Sequence, residues 1–166
     1  LESGVLVVAA AGNQGENSSD VSTPASIERV IAVGATDRYG SAWKDTSRGS
    51  PSLNGEQRID PHMKPEISAP GENIISTHNP ELGIPYASSS GTSVSTVFVA
   101  GSLALILQKH QSELIQYEEE NGTNSFIDLI KNSLNNSVDS ENHDSRTGYG
   151  FLDAASWEAK IASSLP

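Results

Sequence analysis

Seven consecutive apolar residues, Val5-Leu6-Val7-Val8-Ala9-Ala10-Ala11, make the first strong pattern along the chain. A run without polar alternation has both faces covered, which predicts a central parallel strand rather than an antiparallel one. Leu1-Glu2-Ser3-Gly4 ahead of it reads as the last turn of a helix, with Gly4 past its end. Domains rarely open on the last turn of a helix, so further chain is expected upstream. Val30 to Ala35 predicts a second short buried strand, Lys64 to Gly71 a strand entering a turn, and Asn73 to Thr77 another extended segment. Asp37 to Pro61 reads as loop, because Gly40, Gly49, Pro51 and Gly55 punctuate it and its apolar residues are sparse.

The second half of the chain carries the helical patterns. Residues 93–109 are apolar almost all round, which predicts a buried helix, with Ala100-Gly101 marking a close approach to its backbone. Gln111 to Asn124 is polar and acidic and ends at Asn121-Gly122. Phe126, Leu129, Ile130 and Leu134 then recur at amphipathic-helix spacing. Val138 to Arg146 reads as an acidic loop. A final helix is expected over residues 154–163, with Trp157 and Ile161 as its packing residues. An uninterrupted apolar strand that ends in a glycine-flanked turn fits an open α/β sheet with parallel strands.

Two junctions carry candidate chemistry. The run Ser88-Ser89-Ser90-Gly91-Thr92-Ser93 passes directly from a polar turn into the apolar helix. Ser93 there is either a helix cap, a role serine often fills, or a nucleophile facing the unpaired N–H groups of a helix start. The first strand ends in Gly12-Asn13-Gln14-Gly15, and in open α/β sheets ligands are met at the carboxyl ends of strands. Asn13 is either a turn residue or an amide donor aimed at a developing oxyanion.

Composition narrows the alternatives. Ten Lys and Arg against 21 Asp and Glu leave a formal net charge of −11. Such a surface repels phosphate backbones, which argues against nucleic acid and against anionic membranes as partners. The absence of cysteine excludes disulfides, thiolate metal sites and cysteine nucleophiles. With 166 residues, the chain is long enough to bury a core of its own.

Taken together, Ala10-Ala11-Gly12-Asn13-Gln14-Gly15 and Ser90-Gly91-Thr92-Ser93 resemble the catalytic domain of the subtilisin-like serine proteases. Pro24, Val30 to Ala35, Ala69-Pro70-Gly71 and Gly148-Tyr149-Gly150-Phe151-Leu152-Asp153 fall in that family's order and approximate spacing. The resemblance covers nearly the whole chain and implies the C-terminal portion of one peptidase domain, over residues 1–166, with an α/β fold: part of a doubly wound, mostly parallel sheet with flanking helices, in three layers. It implies a polypeptide substrate and acyl transfer to Ser93, with Asn13 and the Ser93 backbone N–H as oxyanion donors and Thr92 in support. It also implies that Ala10, Ala11, Gly12 and Ser22 line a roomy side-chain pocket, and that the protein is secreted or held at a bacterial or archaeal cell envelope.

What the pattern lacks is as informative. The family's triad runs Asp, His, Ser, so its first two members should precede Asn13, and only twelve residues do. None of His62, His78, His110 and His143 lies in a family histidine motif, so all four are read as structural. An unassisted serine hydroxyl is a poor nucleophile, and the chain alone is expected to be inert. Its implied partner is the N-terminal half of the same domain. No cofactor is needed for the chemistry. A structural calcium is common in the family, and Asp139, Glu141, Asn142 and Asp144 supply oxygen ligands, although their spacing does not match an EF-hand and solvated acidic loops are commoner.

The residues after Ser93 depart from the family pattern, which usually has Met and later Pro-His where this chain has Val94 and Val97-Phe98. The last two changes leave room for a non-catalytic subtilase-like binding module. A serine hydrolase of the Gly-x-Ser-x-Gly type is disfavoured, because Val94-Ser95 lacks the second glycine. With Val94 in place of a thioether, the full-length enzyme is expected to keep its activity in peroxide. Rapid loss of turnover during peroxide treatment would contradict this.

Overall fold

The computed structural model describes residues 5–79, 81, 83–138 and 142–165. The helix end expected at residues 1–4 lies outside them. A parallel sheet of three strands, in the order β1-β2-β5, forms the centre: β1 is Val8–Ala10, β2 Ile31–Thr36 and β5 Ile67–Pro70. Val8 pairs with Ile31 and Val33 with Ile67. All six residues of β2 are buried, as a strand covered on both faces requires. The apolar run at 5–11 thus predicts the right element, but only three of its residues make strand.

Alternation along β2 divides the core. Ile31 and Val33 join Ile67 and Ala69 beneath three helices, α1 (Thr92–Lys109), α2 (Gln111–Asn135) and α3 (Ala154–Ser164). Ala32 lies on the opposite face with Ala9, Ala11, Val21, Ala25 and Val30. Sheet sandwiched between helices on one face and a loop layer on the other is the α/β arrangement expected. The polypeptide between Asp144 and Leu152 then runs beside β5 and extends the sheet: Tyr149 N donates to Glu66 O at 3.0 Å and Leu152 N to Ser68 O at 2.8 Å. Gly148 is needed there, since a Cβ would lie 2.4 Å from the Glu66 carbonyl oxygen and its φ is +67°.

The structure differs from the sequence reading in three places. Residues 111–121, read only as polar and acidic and ending at Asn121-Gly122, are helical, and α2 runs on to Asn135 through a break at Gly122, whose φ of 84° is not helical. Its polar composition reflects exposure, not lack of structure. Second, α1 is not buried all round. Thr92, Ser95, Val99, Leu103 and Ile106 face the sheet and neighbouring helices, but Val97 is 69% exposed and Leu105 69%. Among the described residues nothing covers that side, and nothing lies within 4 Å of a Cβ built on Gly101. Third, the loop expected over Asp37 to Pro61 holds a small antiparallel ribbon, β3–β4 (Ser52–Leu53, Glu56–Gln57), while the extended segment expected at 73–77 forms as β6 (Ile74–Thr77) and pairs with β7 (Tyr86–Ser89).

The helical layer is closed by α3. Asp153 caps it, accepting from Ser156 N at 2.9 Å, and Trp157 and Ile161 are fully buried. Trp157 Nε1 donates to the Ile130 carbonyl at 3.3 Å, so the ring both fills the α2–α3 seam and satisfies a polar atom within it. Trp157→Ala is expected to cost about 3–5 kcal/mol, read as a lowered denaturant midpoint of the full-length protein. A loss below about 1 kcal/mol would show that the seam can collapse around the deleted ring.

Candidate active site

The two junctions singled out in the sequence meet. Asn13 lies just past the carboxyl end of β1 and Thr92 is the first residue of α1, 79 positions later. The Thr92 backbone N–H donates to Asn13 Oδ1 at 2.9 Å, and the Thr92 hydroxyl donates to the same oxygen at 2.9 Å. In return Thr92 Oγ1 accepts from Gly12 N at 3.1 Å. A backbone N–H can only donate, so the carboxamide oxygen must face Thr92. The Asn13 Nδ2 hydrogens are therefore left over, and they take no acceptor among the described residues.

Ser93 follows as the second residue of the helix. The cap position belongs to Gly91, with φ 153° and no side-chain capping bond, so the helix-cap reading of Ser93 is excluded. Ser93 is exposed. Neither its hydroxyl nor its backbone N–H is engaged by another described residue. A free hydroxyl, a free helix-start N–H and a free amide N–H thus sit at one turn, and the positive end of the helix dipole adds to their pull on a negative oxygen.

The turn is held from beneath. Gly91 N donates to Gly71 O at 2.8 Å, and Gly71 N donates to Thr36 O at 2.9 Å, which ties the Gly91-Thr92-Ser93 turn to the ends of β5 and β2. A Cβ on Gly71 would stand 2.2 Å from Ser95 Oγ and 2.7 Å from Ala35 Cβ, so only glycine fits. Ser90 Oγ accepts from Asn73 N at 2.9 Å, closing the base of the β6–β7 ribbon. On the other side Ser47, fully buried, takes Gln14 N at 3.1 Å and donates its own N–H to Gly12 O at 2.9 Å. Ser47 escapes a sequence reading altogether, because nothing near it differs from ordinary loop. Gly71 is signalled only by its place after a proline at a strand end.

Of the expected pocket residues, Gly12 and Ser22 are brought together: Ser22 N donates to Ala11 O at 2.7 Å, and a Cβ on Gly12 would be 2.3 Å from Ser22 Oγ. Ala10 is half-buried at the strand end. Ala11 is fully buried among Val21, Ala25 and Ala32, so its methyl belongs to the core and only its backbone borders the turn. Three histidines are engaged elsewhere: His62 contacts Lys131, His110 contacts Glu158 and His143 contacts Pro65 O. His78 sits at the end of β6–β7, its backbone N–H on Pro85 O and its ring Nδ1 buried without a hydrogen-bond partner among the described residues. In the acidic loop, Asp144 Oδ1 already accepts from Arg146 N, Thr147 N and Thr147 Oγ1. Asp139 and Glu141 lie outside the described residues. Among the described residues no group of three or more His, Asp or Glu is placed to hold a metal ion.

A parallel sheet here presents a serine at a helix start beside an anchored asparagine amide. Sequence comparison gives the family: the pattern of the subtilase family matches residues 1–150, and the chain belongs to that family. It is 36% identical to the serine protease AprX of Bacillus subtilis (strain 168), covering 75% of this chain and 31% of that protein. Against subtilisin BL of Lederbergia lenta the identity is 43%, over 66% of this chain and 34% of the relative. Solved structures agree. The prenylagaramide maturation protease PagA superposes with a TM-score of 0.63 at 27% identity, over 95% of this chain and 51% of that one. The self-cleaved protease domain of PatA gives 0.65 at 26%, over 96% and 51%. The chain therefore spans about a third of these sequence relatives and half of these structures.

Thr92→Val keeps the shape of the side chain but leaves Gly12 N–H without an acceptor and Asn13 Oδ1 with one donor. A stability loss of about 1–3 kcal/mol is expected in denaturant unfolding. An unchanged midpoint would mean the hydroxyl holds nothing.

Proposed function

We propose that this chain is the nucleophile-bearing part of a subtilisin-like serine endopeptidase. The observation that carries the reading is the Asn13 carboxamide, turned by Thr92 so that its N–H groups stay free beside the free hydroxyl and N–H of Ser93. In the proposed reaction Ser93 Oγ attacks the scissile carbonyl while a general base takes its proton. The oxygen that becomes negative is met by Asn13 Nδ2–H and by the Ser93 backbone N–H. Collapse of the tetrahedral intermediate breaks the C–N bond, and the amine leaves with the proton that the base returns. Water then attacks the acyl ester by the reverse sequence.

The base is not proposed from within this chain, because His62, His110 and His143 are committed to other partners and no contact joins His78 to Ser93 among the described residues. It comes with its orienting carboxylate from the N-terminal half of the domain, in the same precursor or as a separate chain, and the present chain is inert without it. The uncovered apolar side of α1, with Val97, Phe98 and Leu105 exposed, is the kind of surface such a half would bury. The substrate is polypeptide, and small residues at Ala10, Gly12 and Ser22 favour large or apolar side chains before the cut. Secretion follows the relatives, which include the minor extracellular protease Epr of Bacillus subtilis.

A fluorophosphonate probe on the full-length protein tests the assignment. Labelling is expected on the parent and absent in Ser93→Ala; persistence in the variant refutes Ser93 as nucleophile. No labelling of a folded parent would instead support the inactive binding module. In Asn13→Ala, turnover should fall by about 10²–10³, a magnitude established with subtilisin itself.

A further inference from the structure

The amino ends of the strands hold a charged cluster that the proposed reaction does not use. Glu66 and Lys131 are fully buried and Lys64 is 1% exposed. Glu66 Oε1 accepts from Lys64 Nζ at 2.8 Å and from Lys131 Nζ at 2.5 Å, while Oε2 accepts from Ala32 N at 2.7 Å. Lys64 also donates to Val30 O. Lys131 donates in addition to Glu28 O at 2.5 Å and contacts His62 Nδ1 at 2.8 Å. Two ammonium groups thus share one carboxylate with no solvent, and Lys131 alone ties α2 to the sheet through it. A buried ammonium left without an acceptor is costly, so each of these contacts matters to the rest.

His62 is the one member that reaches the surface, with 14% of its side chain exposed. An ammonium only donates, so Nδ1 must be the acceptor and the neutral ring carries its proton on Nε2. That N–H faces Glu28 Oε1 and Asp128 Oδ1, both at 3.4 Å. Protonating the ring would place a hydrogen on Nδ1, the atom that Lys131 needs. We propose that His62 is the acid-sensitive latch of this brace: neutral, it accepts from Lys131 and seals the cluster; protonated, it repels Lys131 and weakens the tie between α2 and the sheet.

The surrounding charges bear this out in sign. Burial lowers the His62 pKa and Lys131 lowers it further, against Glu28, Asp128 and Glu66, which raise it. Arg29 borders the same surface hollow as His62, Glu28 and Asp128, and adds a cation there. Burial also lowers Lys64 to about 8, opposed first by Glu66 and assisted by Lys131 and Arg58. For a base whose folded pKa is depressed, the unfolded chain takes up the proton first as pH falls. Stability from His62 is thus present above its ordinary value of 6.5 and lost as pH falls through the lowered one. Lys64 acts in the same sense between 10.5 and about 8. The chain is braced in alkali and loosened in acid.

The experiment is thermal unfolding of the full-length protein across the histidine range, parent against His62→Asn, whose Oδ1 can accept from Lys131 but cannot be protonated. The parent is expected to lose stability on acidification below about pH 6.5 while His62→Asn loses less, each unit of pKa depression appearing as a tenfold change in the folding constant. Parallel profiles would overturn the proposal. Ring-nitrogen NMR of the parent gives a reading that does not depend on a variant folding. It should show the Nε2–H form, with a midpoint below the ordinary value that rises in Lys131→Met. A midpoint at or above the ordinary value, or one indifferent to Lys131→Met, would also overturn it.

Discussion

The pair of hydrogen bonds from Thr92 to Asn13 Oδ1 joins the end of the first strand to the start of the first helix across 79 residues. Everything at the candidate site follows from that joint. It decides which way the carboxamide points, and it does so with an obligate donor, so the alternative orientation would leave an N–H facing an N–H. It also engages the first orphan N–H of the helix, which would otherwise need a side-chain cap. Because Gly91 supplies the cap position without a side chain, Ser93 has no capping work and its hydroxyl stays uncommitted.

The joint is only as good as the platform under it. β2 and β5 end level with each other and β1 ends three residues earlier, opposite Val33, and each sends one connection to the site: Gly12 from β1, Thr36 O from β2, Gly71 from β5. α1 is placed by the same sheet, through Val99, Leu103 and Ile106 on Ile31, Val33, Ile67 and Ala69. Helix start and strand ends are therefore positioned by one core, and a packing change in it would be felt as a shift of Ser93 relative to Asn13.

This division explains what the sequence reveals. The strand at Val5–Ala11, the amphipathic spacing of Phe126 to Leu134 and the packing pair Trp157 and Ile161 are visible because burial leaves a compositional trace. Asn13 is visible because Gly12 ends an apolar run, and Ser93 because the polar turn through Gly91 passes directly into an apolar helix. By contrast, helix 111–121 is exposed and leaves no such trace, and Gly122 looks like an ending when it is a kink. The reverse error occurs at α1, whose apolar residues suggest full burial although part of the helix surface is bare among the described residues. Hydropathy records what a helix is built to touch, not what touches it in a given chain. Thr92, Ser47 and Gly71 act through geometry set by distant residues, and no local pattern carries that.

The sheet is polarised in its chemistry. Its carboxyl ends carry neutral groups with free donors, while its amino ends carry Lys64, Glu66 and Lys131 with their donors spent. Neutral dipoles at the carboxyl ends suit a site that must meet charge only as it develops, because a fixed charge there would bind water or ions beforehand. A buried charged brace at the amino ends has the opposite property. It gains little net stability over apolar packing, but it tolerates almost no displacement, since any gap strands an ammonium in the core. Placing that rigidity at the far end of the same strands holds their register without adding a charge beside Ser93. The surface, at a net charge of −11, contributes nothing comparable, because its carboxylates are screened and mobile.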